Sequence, residues 1–479
     1  MTVARWRVAQ PVIVCAFALL PTALRAQESE RTRPLAFAQF AAQVEANHPV
    51  ALQARLTAAQ ARAGLQEAWG AFDPKFTLSI AQKAFKGDPY YTYVDAALKV
   101  PTPLGADLKV GFERARGTKL SADRITPSNG LLSLGVSIPL GQRLLIDERR
   151  SALSVARAQR EIGDAEQQGM INKLLLDAAK AYGTWYAAVQ RAQIARDGVR
   201  LATFRREAVV QRVQNGESAP IDTLEASLEV QRRAVTLAEA ETEVRAAEMM
   251  ASAFLWDARG APVELDSSAR PVMDGLERTP TDTTRLTSWV AAALARHPEL
   301  RKAEGKLRAA DAERQLAWQA QVPFAEATFA AIADRDNVGA LTSSNSWSEN
   351  YKAGLEVSSS LLLLKERGKA TRADQKTEFA RLDRDRLRRD VVYVVRMALN
   401  DVVLLERLLS VQRANVSAAS LLRDAEQQRF VNGESTLLLV NLRERTQLDE
   451  AVKLASLEGK LASARAMLVV AVGDGALVP

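Results

Sequence analysis

Two histidines are the residues of this 479-residue chain that could most readily ligate a metal ion or act as a general base. His48 and His297 are each followed directly by a proline. A pair of imidazoles could hold a metal ion, but proline is well tolerated in the first turn of a helix. We therefore interpret both His-Pro pairs as the starts of helices and predict no metal site.

Other reactive groups do not complete a catalytic set. The only cysteine, Cys15, lies in a segment that we predict to be removed, so the mature chain would have no thiol nucleophile and no disulfide. Acidic pairs occur only as charges along predicted helices, and no glycine-rich phosphate loop is present. We expect a protein that is not an enzyme and needs no cofactor. The net charge of +7 is spread along the chain, which does not argue for a nucleic-acid partner.

Residues 1–26 are typical of a signal peptide. Arg5 and Arg7 precede an apolar segment, and the sequence LRAQ offers cleavage after Ala26. A buried N-terminal helix fits less well, because the polar sequence QESERTR follows at once. The rest of the chain has no apolar run of 18 residues, so we predict no transmembrane helix. The remaining classes are a periplasmic or secreted protein and an outer-membrane β-barrel.

The chain contains an internal duplication. The His-Pro pair recurs after 249 residues, and Pro74 recurs as Pro323 at the same offset. The tetrapeptide NGES occupies residues 215–218 and 432–435, an offset of only 217, so the first copy carries 32 additional residues before this turn. Internal duplication of this kind organises the whole fold. We predict a first repeat at 27–256, a linker at 257–287 and a second repeat at 288–479.

Alternating apolar and polar residues follow each of the two repeated prolines. The first repeat contains four such segments, beginning with Phe76, Leu78 and Ile80, and the second repeat contains two. Strands of about ten residues with one apolar face are typical of a transmembrane barrel, although a soluble sandwich gives the same alternation. Aromatic residues at the strand ends suit membrane-interface girdles, although each of them taken singly is better explained by ordinary packing: Tyr90, Tyr91, Tyr93, Trp347 and Tyr351 at one end, and Phe72, Phe76 and Phe324 at the other.

Long proline-free segments with apolar residues at intervals of three and four predict coiled-coil helices. They cover about 150–213 and 369–431, and each spans about 95 Å. Shorter returning helices are predicted at about 222–254 and 437–472. Together with a helix of roughly 28 residues before the strands, each returning helix matches the long helix in length. Each repeat is therefore predicted to place its strands at one end and its NGES turn at the other.

The NGES turns end the long helices in this interpretation. Gly216 and Gly433 are expected to adopt left-handed backbone angles that other residues resist. The returning helices would be capped by Ser218 or Asp222 in the first repeat, and by Ser435 or Thr436 in the second.

This ordered and duplicated set of features resembles the TolC family of outer-membrane efflux proteins over nearly the whole mature chain. The matching features are the signal peptide, the doubled His-Pro entrance to the helix before the strands, and the doubled turn, seen in GESAPIDTLEA. The resemblance implies a mainly α fold with a transmembrane β-barrel part, in which tandem-duplicated helical hairpins form a trimeric α-barrel tunnel. It also implies an outer-membrane location with a large periplasmic part. The implied partners are two further copies, a periplasmic adaptor protein and an inner-membrane pump, for export of small molecules or proteins.

The resemblance also implies functional residues at the turns. Family members meet the adaptor at their turns, and acidic residues just after the turn narrow the tunnel entrance. Asp222 fits this pattern, whereas Leu439 and Leu442 stand where acids are expected in the second repeat and leave Glu444 as the nearest. A plain helix–helix turn without a partner remains an alternative. The implied adaptor contacts are Gly216, Glu217, Ser218, Ala219, Pro220, Gly433, Glu434, Ser435 and Thr436.

The strand count departs from the family pattern of two strands per repeat. Four strands in the first repeat would give each copy six strands and a trimer 18, against the usual twelve. Alternatively, the middle hairpin projects from a twelve-stranded barrel as an extracellular flap. The second functional class is a soluble periplasmic coiled-coil scaffold or adaptor with a β-domain.

Overall fold

The computed structural model describes residues 33–266, 268–273, 281–343 and 347–473. The predicted signal peptide at 1–26 lies outside these ranges, and so does part of the predicted linker at 257–287. None of the helices within these ranges is both long enough and apolar enough to cross a membrane.

Eight α-helices account for most of the described chain. The predicted long helices are confirmed, with 67 residues in the first repeat and 68 in the second. The returning helices are also confirmed, within two residues of the predicted bounds. In chain order the helices are α1 (Phe37–Asn47), α2 (Pro49–Trp69), α3 (Glu148–Gln214), α4 (Pro220–Ser252), α5 (Leu286–Arg296), α6 (Pro298–Gln319), α7 (Leu364–Val431) and α8 (Leu437–Val472).

Both His-Pro pairs start helices as predicted, but a short helix precedes each pair. His48 ends α1 and caps α2, because its Nδ1 accepts a hydrogen bond of 3.1 Å from the Val50 N–H. Burial lowers the pKa of His48, which favours the neutral imidazole that this hydrogen bond requires. The predicted helix of roughly 28 residues was too long. Helix α2 has 21 residues, because the chain tightens into a 3₁₀ turn at Gly70–Phe72 before it reaches the strands.

The helices pack as a single curved row. Near the strands the order is α2, α3, α6 and α7, and near the NGES turns it is α4, α3, α8 and α7. The short helices α2 and α4 therefore lie end to end beside α3, and their junction is marked by His48, whose ring stacks on Phe254 at 6.0 Å. The row has two open edges, one formed by α2 and α4 and the other by α7.

Apolar seams hold the row together at the predicted positions. Tyr182 and Trp185 of α3 are fully buried, and Val395 and Val402 of α7 form the centre of a second cluster. Helices α3 and α8 pack closely at Gly183, where an added Cβ would lie 2.7 Å from the Gly459 carbonyl oxygen. Beside this crossing, the Tyr182 hydroxyl bonds to a two-stranded parallel sheet formed by β1 (Arg33–Ala36) and β6 (Ala269–Val272).

The six predicted strands form one antiparallel sheet at the end of the row opposite the NGES turns. Its middle hairpin, β3–β4, is hydrogen-bonded on both sides along its length, to β2 and to β5. The hairpin therefore lies within the sheet and does not project as a flap. The sheet order follows the chain: β2 (Lys75–Phe85), β3 (Asp88–Pro101), β4 (Asp107–Arg116), β5 (Leu131–Pro139), β7 (Phe324–Asp334) and β8 (Tyr351–Ser358).

Candidate channel wall and turn sites

The two faces of the six-stranded sheet differ in chemistry. The strand register aligns the apolar positions of all six strands on one face, as in the row Phe76, Leu98, Val110, Leu134, Ala331 and Tyr351. The opposite face carries the row Thr77, Ala97, Gly111, Ser133 and Ile332 and further charged and small residues. The predicted alternation is thus continuous across strands from both repeats.

Burial on the two faces is the reverse of that in a soluble protein. Leu134 on the apolar face is 40 % exposed, whereas Ser133 on the polar face is only 9 % exposed. An added Cβ at Gly111 would lie 2.5 Å from the Ser133 Oγ, and one at Gly135 would lie 2.7 Å from the Ala330 Cβ. Side chains on the polar face are therefore crowded together, as on the concave side of a curved sheet. Exposed apolar surface of this extent marks contact with a membrane or a partner.

Both edges of the sheet are open in the single chain. Every residue of the edge strand β2 and every residue of the edge strand β8 is exposed. An edge strand presents unpaired N–H and C=O groups to its surroundings. Because the sheet has six strands in antiparallel order, β2 and β8 run in opposite directions. The β2 edge of one copy is therefore suited to antiparallel pairing with the β8 edge of another.

The two NGES turns have the same backbone geometry. Gly216 and Gly433 have φ values of +78° and +79°, which confirms the predicted left-handed conformation. The Glu217 N–H bonds to the Arg212 carbonyl at 2.8 Å, and the Gly216 N–H bonds to the Val213 carbonyl at 3.0 Å. The second turn repeats both bonds from Glu434 and Gly433. This is the Schellman arrangement that ends a helix at a glycine.

The capping predictions are confirmed only in the second turn. Thr436 accepts a hydrogen bond from the Leu439 N–H at 3.4 Å. In the first turn the N-cap is Ala219, without a side-chain bond, and Pro220 fills the first helical position. The prediction of Ser218 or Asp222 as the cap was wrong, because proline at that position needs no N–H partner.

The predicted tip residues lie together at one end of the molecule. A small apolar cluster of Val209, Val213, Ala226, Phe430 and Leu437 packs the two turns side by side. Glu217, Ala219, Pro220, Glu434 and Thr436 are exposed there, whereas Ser218 and Ser435 are half-buried. The Ser435 hydroxyl donates a hydrogen bond to the carboxylate of Glu426 and is therefore engaged within the chain.

The two acids predicted at the tunnel entrance differ in environment. Asp222 is half-buried in the first turn of α4, beside the exposed tip. Glu444 is 1 % exposed, and its carboxylate accepts hydrogen bonds from Arg205 of α3 and Arg233 of α4. Within the single chain, Glu444 therefore does not face open space.

Glu444 belongs to a buried charge network that the sequence reasoning missed. The Arg233 Nε donates to Glu229 at 3.0 Å, and its Nη1 donates to the Gly198 carbonyl at 3.0 Å. Arg205 also bonds to Asn441 at 3.2 Å. The network joins α3, α4 and α8 close to the turns, with Arg233, Glu229 and Glu444 buried and Arg205 partly buried. The spacing of Glu229 and Arg233, four residues apart on a helix, was the only local signal.

We predict that Glu444→Ala destabilises the turn end of the molecule. Removing one partner of a buried ion pair leaves uncompensated charge and costs about 3–5 kcal/mol, here borne by Arg205 and Arg233. Hydrogen exchange of the purified protein in detergent should show lost protection in α4 and the first turns of α8. Glu434→Ala removes an exposed carboxylate from the nearby turn and serves as the control. Equal protection in the two variants would contradict the stabilising role of the network.

Comparisons with known proteins identify the family to which this fold belongs. The family model for outer membrane efflux proteins matches residues 94–250 and 289–474, which is well over half of the chain. A sequence search of curated proteins finds no match. The match to the family model confirms the predicted function, an efflux tunnel of the outer membrane with a large periplasmic part, and argues against the soluble scaffold.

Solved structures share the fold at low sequence identity. The outer-membrane channel OprN is 18 % identical, with a TM-score of 0.60, covering 91 % of this chain and 89 % of that chain. The Campylobacter jejuni CmeC outer membrane channel is 13 % identical, with a TM-score of 0.60, covering 92 % and 86 %. The Neisseria gonorrhoeae MtrE outer membrane channel, solved in its open state, is 15 % identical, with a TM-score of 0.61, covering 92 % and 89 %. These likenesses confirm the predicted fold class, and the family match shows that the chain belongs to the outer membrane efflux protein family.

Proposed function

We propose that three copies of the chain close into one continuous tunnel, which receives its substrate from a periplasmic adaptor and an inner-membrane pump. The observation that carries this proposal is the reversed burial of the six-stranded sheet. Its apolar face is exposed and its polar face is crowded and concave, so closure would direct the apolar face to lipid and the polar face to water.

Open sheet edges supply the reason for closure. In the hydrocarbon region an unsatisfied backbone group costs several kcal/mol. The β2 edge and the β8 edge can satisfy each other only between copies or across one complete ring. Six strands form too narrow a sheet to enclose a water-filled channel, whereas 18 strands leave an aqueous lumen. We therefore favour an 18-stranded barrel with six strands from each copy.

The helical row supports the same ring. One open edge carries exposed apolar residues along α4, and the other carries a longer set along α7. Contact between two different edges is heterologous, and it forms a closed ring when the rotation between copies is suitable. On α4 the exposed set is Ile221, Leu224, Leu228, Val235, Met249 and Met250. On α7 it includes Phe379, Leu382, Tyr393, Met397, Leu404, Leu408, Val411 and Leu422.

We expect the purified protein to have three times the mass of the mature chain. Native mass measurement in mild detergent should give this value, because both the sheet edges and the row edges remain unpaired in fewer copies. Replacement of Leu404 and Leu408 of α7 by glutamate should shift the mass towards the monomer. The matched control is Val395→Leu, a conservative change in the seam within the chain. A wild-type monomer that conducts ions across a bilayer would refute the ring.

Lipid-phase labelling should decide which face of the sheet meets the membrane. Leu98 and Val110 lie opposite each other on β3 and β4, and both are at least 40 % exposed. Cysteines at these two positions should react with a lipid-soluble reagent in outer-membrane vesicles. Cysteine at Ala97, the adjacent position on the polar face, is the control and should react only with a water-soluble reagent. Labelling of Leu98→Cys and Val110→Cys from water alone would exclude this hairpin from the wall.

The NGES turns are the proposed contact with the adaptor. Glu217, Ala219, Pro220, Glu434 and Thr436 form the exposed surface at the end of the helices that lies farthest from the sheet. Gly216 and Gly433 hold the turns in shape, with no atom near the position of an added Cβ. Ser218 and Ser435 lie at the margin of this surface, and Asp222 lies just behind it, where it could line the entrance. Open space around the turns supports a docking role, although a plain turn would share the same backbone.

A charge at Ala219 should separate docking from a plain turn. Ala219 is exposed and its side chain has no capping role, so Ala219→Arg should leave the fold and the trimer intact. In cells whose dye efflux depends on this chain, the variant should accumulate dye as the deletion does. Ala219→Ser, which keeps the side chain small, should retain efflux. Normal efflux with arginine at this position would return the turns to a structural role.

Transport rather than catalysis is the function that the candidate chemistry supports. His48 caps a helix, and His297 occupies the equivalent position beside Gly473. Among the described residues, no three His, Cys, Asp or Glu side chains are grouped in a way that could hold a metal ion. We infer that the pump selects the exported compound, because a wide water-filled tunnel provides few contacts that discriminate between solutes.

A further inference from the structure

The two loops at the far end of the sheet fold onto opposite faces. The loop at 117–130, here called the exit loop, joins β4 to β5, and the described residues between β7 and β8, 335–343 and 347–350, are here called the outer loop. Both lie at the strand ends that are farthest from the helices. Their different positions are set by specific contacts with the strands.

The middle of the exit loop lies over the polar face, whereas Lys119 near its start lies with its Nζ 4.3 Å from the centre of the Tyr90 ring. The Arg124 guanidinium is 4.6 Å from the centre of the Tyr93 ring and 3.8 Å from the Asp95 carboxylate. The Ser121 N–H donates to the Tyr93 hydroxyl at 3.4 Å. Tyr93 and Asp95 share the polar face with Ala97 and Lys99, because alternate residues of a strand point to the same side. The middle of the loop therefore covers the side of the sheet that we assign to the lumen.

Low exposure at the ends of β3 and β4 supports this position of the exit loop. Tyr93 and its strand partner Ala115 are each only 7 % exposed, although they lie close to the rim of the sheet. The return of the loop is fixed as well, since the Ala115 N–H donates to the Thr126 hydroxyl at 2.9 Å. Tyr91 and Tyr93, which the sequence placed in a membrane girdle, are stacked at 4.5 Å on the polar face. The girdle interpretation was wrong for both tyrosines, because they lie on the polar face of the sheet and the exit loop packs against Tyr93.

The outer loop packs on the apolar face. Leu341 is buried against Leu132, Ala331 and Ala333, all of which lie on that face. The Trp347 Nε1 donates to the Leu341 carbonyl at 2.8 Å, and its ring lies 6.5 Å from that of Phe329. The middle of the exit loop and the outer loop therefore pack on opposite faces of the same sheet.

We propose that the exit loop folds into the barrel and narrows its extracellular mouth, with Ile125 as the side chain that projects towards the passing solute. This inference rests on the proposed function, because the polar face lines a lumen only when the barrel is closed. Ile125 is 67 % exposed, whereas its neighbours Arg124 and Thr126 contact strands β3 and β4. In a trimer, three copies of the loop would converge on the mouth.

Bulky modification of single cysteines provides the test. The mature chain would contain no cysteine of its own, so Ile125→Cys and Val338→Cys can each be modified alone. Val338 is 55 % exposed on the outer loop and is the matched control. Each purified trimer would be inserted into a planar bilayer and treated with a bulky polyethylene glycol maleimide, while single-channel current is recorded.

We expect the modification to lower the current of Ile125→Cys by about twofold or more, because it fills a restricted lumen, and to leave Val338→Cys unchanged. Arg124→Ala in the Ile125→Cys background should weaken the block, since it removes the contacts with Tyr93 and Asp95 that help to hold the loop inward. An unchanged current after complete modification at both positions, or equal block at both, would overturn the exit-loop proposal while leaving the channel in place. A trimer that carries no current before modification would refute the channel, and the loop proposal with it.

Discussion

Backbone hydrogen bonding at the edges of the six-stranded sheet is the constraint on which the rest of the molecule depends. Strand β2 has 11 residues and β8 has 8, and the outer backbone groups of both face no partner strand in the described part of the chain. Lipid cannot satisfy these groups, and water is absent from the hydrocarbon region. In the proposed ring, copies associate through the sheet, and the same contact brings the long helices after β5 and β8 into register. The length of the long helices, about 100 Å, then carries this arrangement through the periplasm.

The duplication preserved the frame of the molecule but not its electrostatics. Both repeats keep the His-Pro helix start, the long helix and the glycine turn, because each is determined by local backbone geometry. The buried network near the turns takes Arg205 and Arg233 from the first repeat and Glu444 from the second. Their equivalents at the turn offset are Leu422, Glu450 and Ser227, which cannot form the same network. The two halves therefore pack alike along their seams and differ where their helices meet the turns.

Features with a local cause were predictable from the sequence. Period-two alternation located all six sheet strands, and glycine after asparagine located both left-handed turns. Features that depend on a distant neighbour were not predictable. Glu444 was assigned to an entrance because sequence position cannot report that two arginines from other helices surround it. Tyr91 and Tyr93 were assigned to a lipid interface because the path of a loop more than 20 residues later decides what covers them. The turn contacts with an adaptor remain a prediction, since a single chain contains no partner.

The two additional strands of the first repeat show how such a wall can grow. A hairpin adds one strand in each direction, so the two outer strands of the sheet still run opposite ways and can still meet in an antiparallel pair. A single added strand would leave them parallel and spoil the closure. The circumference would therefore grow in steps of two strands per copy, and the proposed threefold ring would turn each inserted hairpin into six additional strands. The number of strands in the wall can change in this way while the number of helices stays the same.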